Sequence, residues 1–387
     1  MQRFAFIIHP IDARRDVGRK YPIAKVLPER LIEWYIKRRD PIVIADVVGI
    51  KSITGEEARG WFITCPLTPR QMIELPLDFV YGKLEQCCRM AQDIGAGIIG
   101  LGAFTSVVGD GGVTLSKRIP GFAITTGNSY TVATAIEGAR TAGRMLGHEL
   151  SQSKVAVVGA TGSIGATCAA ILARDAAEVA LVGRDLERLD KVARSFQHES
   201  KANLKLYTDI ATGLKDADIV ITVTSAVDAV VLPEHIKSGA VVCDVARPRD
   251  VSVRVARERN DVLVIEGGVV QVPGNMRLPK PDKPDSEFSF GFPPGTAYAC
   301  MSETMMLALD QRYECFTLGK DVTVQQVDEI SGIAVKHGFK LGGFRSFEKA
   351  VDPEMIESVR KNSAKKTGKP STFPALKPEA AAASKEV

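Results

Sequence analysis

No run of about 18 uncharged apolar residues occurs anywhere in the chain, which argues against a membrane-spanning helix. The opening stretch, Met1-Gln-Arg-Phe-Ala-Phe-Ile-Ile-His-Pro10, has too short an apolar run for a secretory signal and no clear cleavage site. Cysteines number seven, an odd count without metal-like spacing, and the adjacent Cys87-Cys88 cannot easily bridge to itself. A disulfide scaffold is therefore not expected, and a cytoplasmic, reducing location is, with most thiols acting as small core residues. The five histidines (9, 148, 198, 235, 337) are scattered, so no metal site is expected. Internal repeats are absent, and no basic-aromatic motif points to nucleic acid.

The charge that is present is unevenly placed. Net charge is +4, yet residues 1–40 hold ten Lys/Arg against five Asp/Glu, and residues 360–387 hold seven against two. The tail over 360–387 is rich in Lys, Ala, Pro and Ser and reads as a disordered, solvated leash. With 387 residues there is room for two domains with substantial cores.

One segment carries a ligand signature. Lys154-Val-Ala-Val-Val-Gly-Ala-Thr-Gly-Ser-Ile-Gly165 reads as strand, glycine turn and helix. The β-branched Val155 to Val158 suits a strand buried on both faces. Gly159 permits the sharp turn, Gly162 clears space for a pyrophosphate, and Gly165 lets the helix pack closely on the sheet. Ala160, Thr161, Ser163 and Ile164 complete the loop, whose helix amino terminus offers free N–H groups to phosphate. NAD binders usually end the next strand with an acidic residue. Here Glu178 to Val182 is followed by Gly183-Arg184, and Arg184 could pair with a 2′-phosphate, which favours NADPH; Asp185 directly after it keeps the other choice open.

Strands are expected at Phe4 to Ile8, Pro41 to Ile50, Trp61 to Cys65 and Gly97 to Leu101, and helices at Leu27 to Arg38 and Pro76 to Asp93; Gly121 to Thr126 ends in Thr-Thr-Gly-Asn-Ser, a turn with good N-cap residues. A helix from Thr131 to Leu146 leads into the glycine loop. Beyond the loop, strands are expected at Asn203 to Tyr207, Asp218 to Val223, Ala240 to Val245 and Val262 to Ile265. Small residues at their carboxyl ends (Thr224, Ser225, Val245, Gly268) leave room for a cofactor. The fold class is α/β: a Rossmann-type doubly wound parallel sheet plus a smaller N-terminal α/β domain, with a cleft between them. The expected division is 1–130 for the substrate domain, 131–150 for the linking helix, 151–295 for the NADP-binding domain, 296–350 for C-terminal helices, and 360–387 for the tail. The segment Val272 to Gly295 holds six prolines and no helix or strand period, so it reads as a lid or loop.

Pro293-Pro-Gly-Thr-Ala-Tyr-Ala-Cys-Met-Ser-Glu303 begins with breakers and becomes a helix, with Thr296 as the expected N-cap and Cys300 in the first turn. The helix dipole would stabilise a thiolate there, able to attack a thioester; a buried core cysteine is the plainer alternative. Glu303 shares a face with Cys300 and could orient or protonate groups, or form a helix-end salt bridge.

The stretches Gly102-Ala-Phe-Thr-Ser106, Thr125-Thr-Gly-Asn-Ser129, Val155 to Gly165, Gly267-Gly-Val-Val270, Ala299-Cys-Met-Ser-Glu-Thr-Met-Met-Leu307 and Val335-Lys-His-Gly-Phe339 give the chain a specific likeness from Phe4 to about Phe344. It resembles the cyanobacterial long-chain acyl-[acyl-carrier-protein] reductases, which form fatty aldehydes and are similar in fold to shikimate dehydrogenase and glutamyl-tRNA reductase. The resemblance implies NADPH as cofactor, with the cofactor loop on Gly159 to Gly165 and the 2′-phosphate position on Arg184. It implies transfer of an acyl group from carrier protein, or from coenzyme A, to Cys300. Asn128 and Ser129 are candidate oxyanion donors, and Phe104, Ile98 and Ile99 candidate acyl-tunnel residues. A basic face with Arg14, Arg15, Arg19, Lys37, Arg38 and Arg39 could receive an acidic carrier protein. The family commonly has His where this chain has Tyr130, and the Pro-rich segment and basic tail are departures too. Two other readings stay open: a shikimate-dehydrogenase-like alcohol dehydrogenase without covalent catalysis, and a non-catalytic nucleotide-sensing or carrier-protein-binding module.

Overall fold

The structure is a computed structural model that describes residues 1–18, 21–224, 226, 228–246, 249–267, 269–319, 321–347 and 349–368. The chain forms two compact units. Met1–Tyr130, Gln271–Asp321 and Asp328–Lys340 make the first; Thr131–Val270, Val322–Val327 and the described residues from Leu341 on make the second. The first unit is thus no smaller than the second, because the chain returns to it after the dinucleotide sheet is complete.

The first unit is built on a six-stranded mixed sheet. Its early strands are β1 (Gln2–Ile8), β2 (Ile42–Lys51), β3 (Glu57–Thr64), β4 (Ile98–Leu101) and β5 (Ala123–Thr125). β3, β1, β4 and β5 run parallel, while β2 pairs antiparallel to β3 as a hairpin. The buried face of Ala5, Ile7, Ile63, Ile99 and Leu101 packs under the helix Leu77–Asp93 through Val80, Leu84, Cys87 and Cys88. The cysteine-bearing helix Ala299–Leu309 packs on β1 and β4. Gly100 in β4 makes that approach possible: a Cβ there would lie 2.1 Å from Thr304 Oγ1.

The second unit carries the expected parallel sheet. Its strands are β6 (Lys154–Val158), β7 (Glu178–Val182), β8 (Asn203–Tyr207), β9 (Ile219–Thr222), β10 (Val241–Asp244) and β11 (Leu263–Glu266), in the order β11-β10-β9-β6-β7-β8. Every pair is parallel. This is the doubly wound Rossmann order, with the strand order reversing between β6 and β9, where such sheets bind ligands. β6, β7, β9 and β10 are almost wholly apolar and buried, as a sheet covered on both faces requires.

Three expectations need correction. Residues 272–295 are neither part of the dinucleotide domain nor an irregular lid. Gly274–Arg277 forms β12, which extends the first unit's sheet by pairing antiparallel with β2. Pro279–Lys280 then pairs with Lys283–Glu287 in a short ribbon. The prolines hid this, because an edge strand tolerates residues without an N–H. Second, residues 360–367, read as the start of a disordered tail, finish the helix Pro353–Thr367, which is capped by Asp352 at its start and by left-handed Gly368 after its end. Residues 369–387 lie outside the described residues. Third, Thr296 is not the cap of the cysteine helix. It sits in a three-residue strand and donates to the Pro293 carbonyl, and Tyr298 takes the cap position.

Candidate functional site

Cys300 is the second residue of the helix Ala299–Leu309 and is half-buried. It rests on the turn after β5. Gly127 there has φ +76°, and a Cβ on it would lie 2.3 Å from Cys300 Cα and 2.4 Å from Cys300 Cβ. Only glycine fits that turn, and Asn128 follows it as the first residue of the helix Asn128–Leu146. Asn128 is partly exposed and its side-chain amide makes no hydrogen bond among the described residues.

The expected thiolate is not the resting state. Burial, with a smaller push from the Glu303 charge, raises the Cys300 thiol to about 12, against the opposing backbone N–H of Met301. The first-turn N–H groups are therefore present, but loss of water outweighs them.

Glu303, one turn on, is fully buried and makes no ion pair among the described residues. Its carboxylate accepts from Thr125 Oγ1 (2.5 Å), Thr317 Oγ1 (3.0 Å), Ser129 Oγ (2.6 Å) and the Tyr130 backbone N–H (2.9 Å). The Tyr130 N–H belongs to the first turn of the helix Asn128–Leu146, so a dipole end also faces the carboxylate. Glu303 and Ser129 are therefore bonded to each other, and neither group is free as a proton or oxyanion donor. They tie the cysteine helix to the turn that carries Gly127 and Asn128. Thr317 closes the cluster: its N–H donates to Thr125 Oγ1 and its carbonyl accepts from the Thr126 N–H (2.9 Å). Sequence reasoning missed Thr317, whose only local signal is a hydroxyl in an otherwise irregular strap.

Tyr298 opens a run of rings. Phe292 packs on it at 4.4 Å between centroids, Phe290 at 6.0 Å, and Phe290 stands on Phe288 (4.8 Å) and on Phe62 of β3 (5.4 Å). The tunnel candidates named from sequence differ: Ile98 and Ile99 are fully buried in β4, and Phe104 packs against the core under Leu77–Asp93. Of the basic residues, Arg38 stacks on Trp34 (4.1 Å), Arg39 lies near Tyr35 (5.6 Å), Arg15 pairs with Asp16, Arg14 donates to the Leu27 carbonyl, and Arg19 lies outside the described residues.

In the second unit the glycine loop has the geometry its sequence called for. Gly159 has φ +86°, and Gly159 and Ala160 both donate to the Val182 carbonyl. A Cβ at Gly165 would lie 2.3 Å from the Gly159 carbonyl, so the helix Ser163–Leu172 packs directly on the turn. Gly162 is exposed and caps that helix with no side-chain bond; a Cβ there would meet only the Gly159 carbonyl. The N–H groups at this end therefore face open space, and the loop fits a dinucleotide pyrophosphate. Ser163 Oγ accepts from the Val322 N–H (2.7 Å), and Ile164 is half-buried.

Arg184 is exposed just past β7 and makes no ion pair among the described residues. Asp185 is engaged: its carboxylate caps the helix Leu186–Phe196 through the Arg188 N–H. Thr161 side-chain atoms lie against Gly183, beside Arg184. Past β9, Thr224 is held by Asp250, which accepts from the Thr224 N–H (2.8 Å) and hydroxyl, and from Thr222 Oγ1. Asp244 similarly accepts from the Ala246 and Val251 N–H groups. These two buried aspartates were not recognised in the sequence. The signal of Asp244 is an acidic residue at the end of an apolar strand, while Asp250 lies in the loop beyond it and has no such signal. Val245 is half-buried against Gly267; Ser225 and Gly268 lie outside the described residues. No metal-binding group of His, Cys, Asp and Glu occurs among the described residues. No described helix is long and apolar enough to cross a membrane.

Fold, glycine turn and strand order define a class, an α/β protein with a Rossmann-type dinucleotide domain. Residues 140–266 match the sequence pattern of the shikimate/quinate 5-dehydrogenase family. Two relatives match over longer spans. The long-chain acyl-[acyl-carrier-protein] reductase of Synechococcus elongatus is 26% identical over 348 residues, 85% of this chain and 95% of that one. The aminotransferase PigE of a Serratia species is 26% identical over 367 residues, 93% of this chain and 42% of that one. The chain thus spans less than half the length of PigE. Among solved structures, the nucleotide-binding domain of glutamyl-tRNA reductase from Thermoplasma volcanium is 19% identical, with a TM-score of 0.26, over 35% of this chain and 84% of that domain.

Proposed function

We propose that the chain is an NADPH-dependent reductase that takes an acyl group from a thioester of carrier protein or coenzyme A onto Cys300 and releases it as an aldehyde. The observation that carries the reading is Cys300 itself: half-buried, in the first turn of a helix, and against Gly127, the residue before Asn128. Similarity to the acyl-[acyl-carrier-protein] reductase over most of both chains supports it.

Gly159 to Gly165 would hold the pyrophosphate, and Arg184 the 2′-phosphate. NADPH, when bound, supplies hydride to the acyl carbon. The protein does the rest. Cys300 Sγ attacks the thioester carbonyl; the donor thiolate leaves and takes the thiol proton, so an acyl–Cys300 thioester and a free donor thiol form. The Asn128 amide and the first-turn N–H groups are the donors available to the developing oxyanion. Collapse of the hemithioacetal breaks the carbon–sulfur bond, releases aldehyde, and returns Cys300 to its thiol with a proton from solvent. Glu303, Ser129, Thr125 and Thr317 are positioning residues that fix the helix to the turn.

Intact-protein mass measurement after exposure to acyl thioesters without NADPH tests this. The natural chain should gain one acyl mass, and Cys300→Ser none, with NADPH affinity unchanged in both. An unmodified natural chain, or an acylated Cys300→Ser, would overturn the covalent route.

A further inference from the structure

We infer that residues 21–39 form a docking surface for the face of an anionic lipid bilayer, independently of the chemistry at Cys300. The stretch lies between β1 and β2 and holds a short turn of helix, Pro22–Lys25, and the helix Glu29–Ile36. The core beneath it is small: Ile32 and Ile36 meet Ala13 and Ala24, with Val17 and Leu27 partly covered. Larger apolar side chains stand outside that core. Tyr21, Ile23, Val26, Leu31, Trp34 and Tyr35 are all exposed, Val26 by 81% and Ile23 by 67%. Single exposed apolar residues are ordinary, but so many in one short stretch mark a surface that something apolar covers. The helix cannot turn these residues inward, because its other face is held. Glu33 accepts from Thr68 Oγ1 (2.6 Å) and pairs with Arg70, Gln71 Nε2 donates to the Glu33 carbonyl (2.9 Å), and Lys83 Nζ donates to the Arg39 carbonyl (2.8 Å). Leu31, Trp34 and Tyr35, spaced i, i+3 and i+4, therefore share the outward face.

Charge chooses the occupant. Lys25, Arg30, Arg38 and Arg39 are exposed in the same stretch, and Glu33 is consumed inside, so Glu29 is the one exposed carboxylate between Tyr21 and Arg39. Arg38 lies over the Trp34 ring at 4.1 Å, and its Nη1 donates to the Trp34 carbonyl (2.5 Å), so cation and ring are presented together. Rings at the depth of the headgroups, aliphatic side chains beyond them and cations against the phosphates are the groups that a membrane interface takes up. A partner recognised by its acidic charge alone would satisfy the cations and offer nothing to Ile23 and Val26. A bilayer carrying anionic headgroups satisfies both.

Co-sedimentation of the full chain with vesicles tests this, using phosphatidylcholine alone against phosphatidylcholine mixed with phosphatidylglycerol, at low and high salt. The chain should bind the mixed vesicles about tenfold or more tightly than the neutral ones, and salt should weaken that binding. Val26→Asp and Trp34→Ala should each weaken it by roughly tenfold, as loss of a buried apolar contact predicts, and Lys25→Gln by roughly fivefold. These side chains are exposed, so each variant should unfold at the temperature of the natural chain. Trp34 and Trp61 are the two tryptophans, so in a Trp61→Phe chain the remaining emission should move to shorter wavelength when mixed vesicles are added. Absence of binding to mixed vesicles at low salt overturns the proposal. Binding that Lys25→Gln weakens, but Val26→Asp and Trp34→Ala do not, is adsorption by charge alone and overturns it as well. Saturable capture of an acidic carrier protein, weakened by the Val26 and Trp34 variants in a chain that ignores vesicles, gives the surface to a protein and removes the bilayer.

Discussion

Glu303 and Cys300 stand one turn apart on the same helix and are coupled through charge. Burial, then the Glu303 carboxylate, holds the Cys300 thiol at about 12. Iodoacetamide should therefore modify Cys300 about tenfold faster per unit of pH from 6 to 9, with no plateau; a plateau near neutrality would contradict the assignment. Glu303→Gln removes the charge, so alkylation at a fixed pH should speed up. Glu303→Ala would instead leave the Thr125, Ser129, Thr317 and Tyr130 donors without their acceptor, at about 3 kcal/mol or more of folding stability, measurable by urea unfolding. Arg184→Asp should weaken NADPH by about 10- to 100-fold, the range for a hydrogen bond to a charged group, and leave NADH unaffected; fluorescence titration with both cofactors decides. The glycine turn was legible in the sequence because turn geometry is local. The partners of Glu303 were not. Thr125 and Ser129, from one turn, and Thr317, from a distant strap, are brought to it by two separate segments, and no spacing in the sequence announces that meeting.

At the scale of elements, the turn after β5 sets where the cysteine helix begins. Gly127→Ala would force a left-handed backbone and drive a Cβ into Cys300 Cα. The atom it meets is backbone, so no rotamer relieves the clash, and the strain is of order 1–3 kcal/mol. Acyl loading should fall by more than tenfold while NADPH affinity stays unchanged, since the glycine loop is in the other unit. Elements with a clean period were readable: β8 spans Asn203–Tyr207 as expected, and the helix expected from Pro76 to Asp93 runs Leu77–Asp93. The stretch from 272 to 295 was not readable. Its prolines break any period, and β12 exists only because β2 offers an unpaired edge. Similarly, Pro353–Thr367 is a polar helix with little periodic apolar pattern; Ile356 and Val359 anchor it in the second unit's core.

For the molecule as a whole, each unit contains a buried group that acid would disturb. In the first, His9 is neutral: Nε2 accepts from the Phe104 N–H, Nδ1 donates to the Pro10 carbonyl, and burial lowers its pKa below 6.5. A lowered histidine binds its proton more readily in the unfolded chain, so its contribution is intact above 6.5 and is lost as pH falls through that value. In the second, Asp261 is fully buried. Burial raises its pKa, but the bidentate bond from Arg259 and the ion pair with Lys366 outweigh that and hold it well below the usual carboxylate range. Its contribution is present above the ordinary carboxylate value and disappears as pH falls below it. Denaturation followed against pH should show two acid losses, the upper one absent in His9→Asn and the lower one in Asp261→Asn. The sequence by itself determined the α/β class, the parallel dinucleotide sheet and its glycine turn, since all follow from local periodicity and the steric demands of a few glycines. The tertiary structure alone decided which domain the proline-rich stretch joins, that Cys300 rests as a thiol, and that Glu303 is a bracket between helix and turn, because burial and long-range hydrogen bonds exist only once distant segments have met.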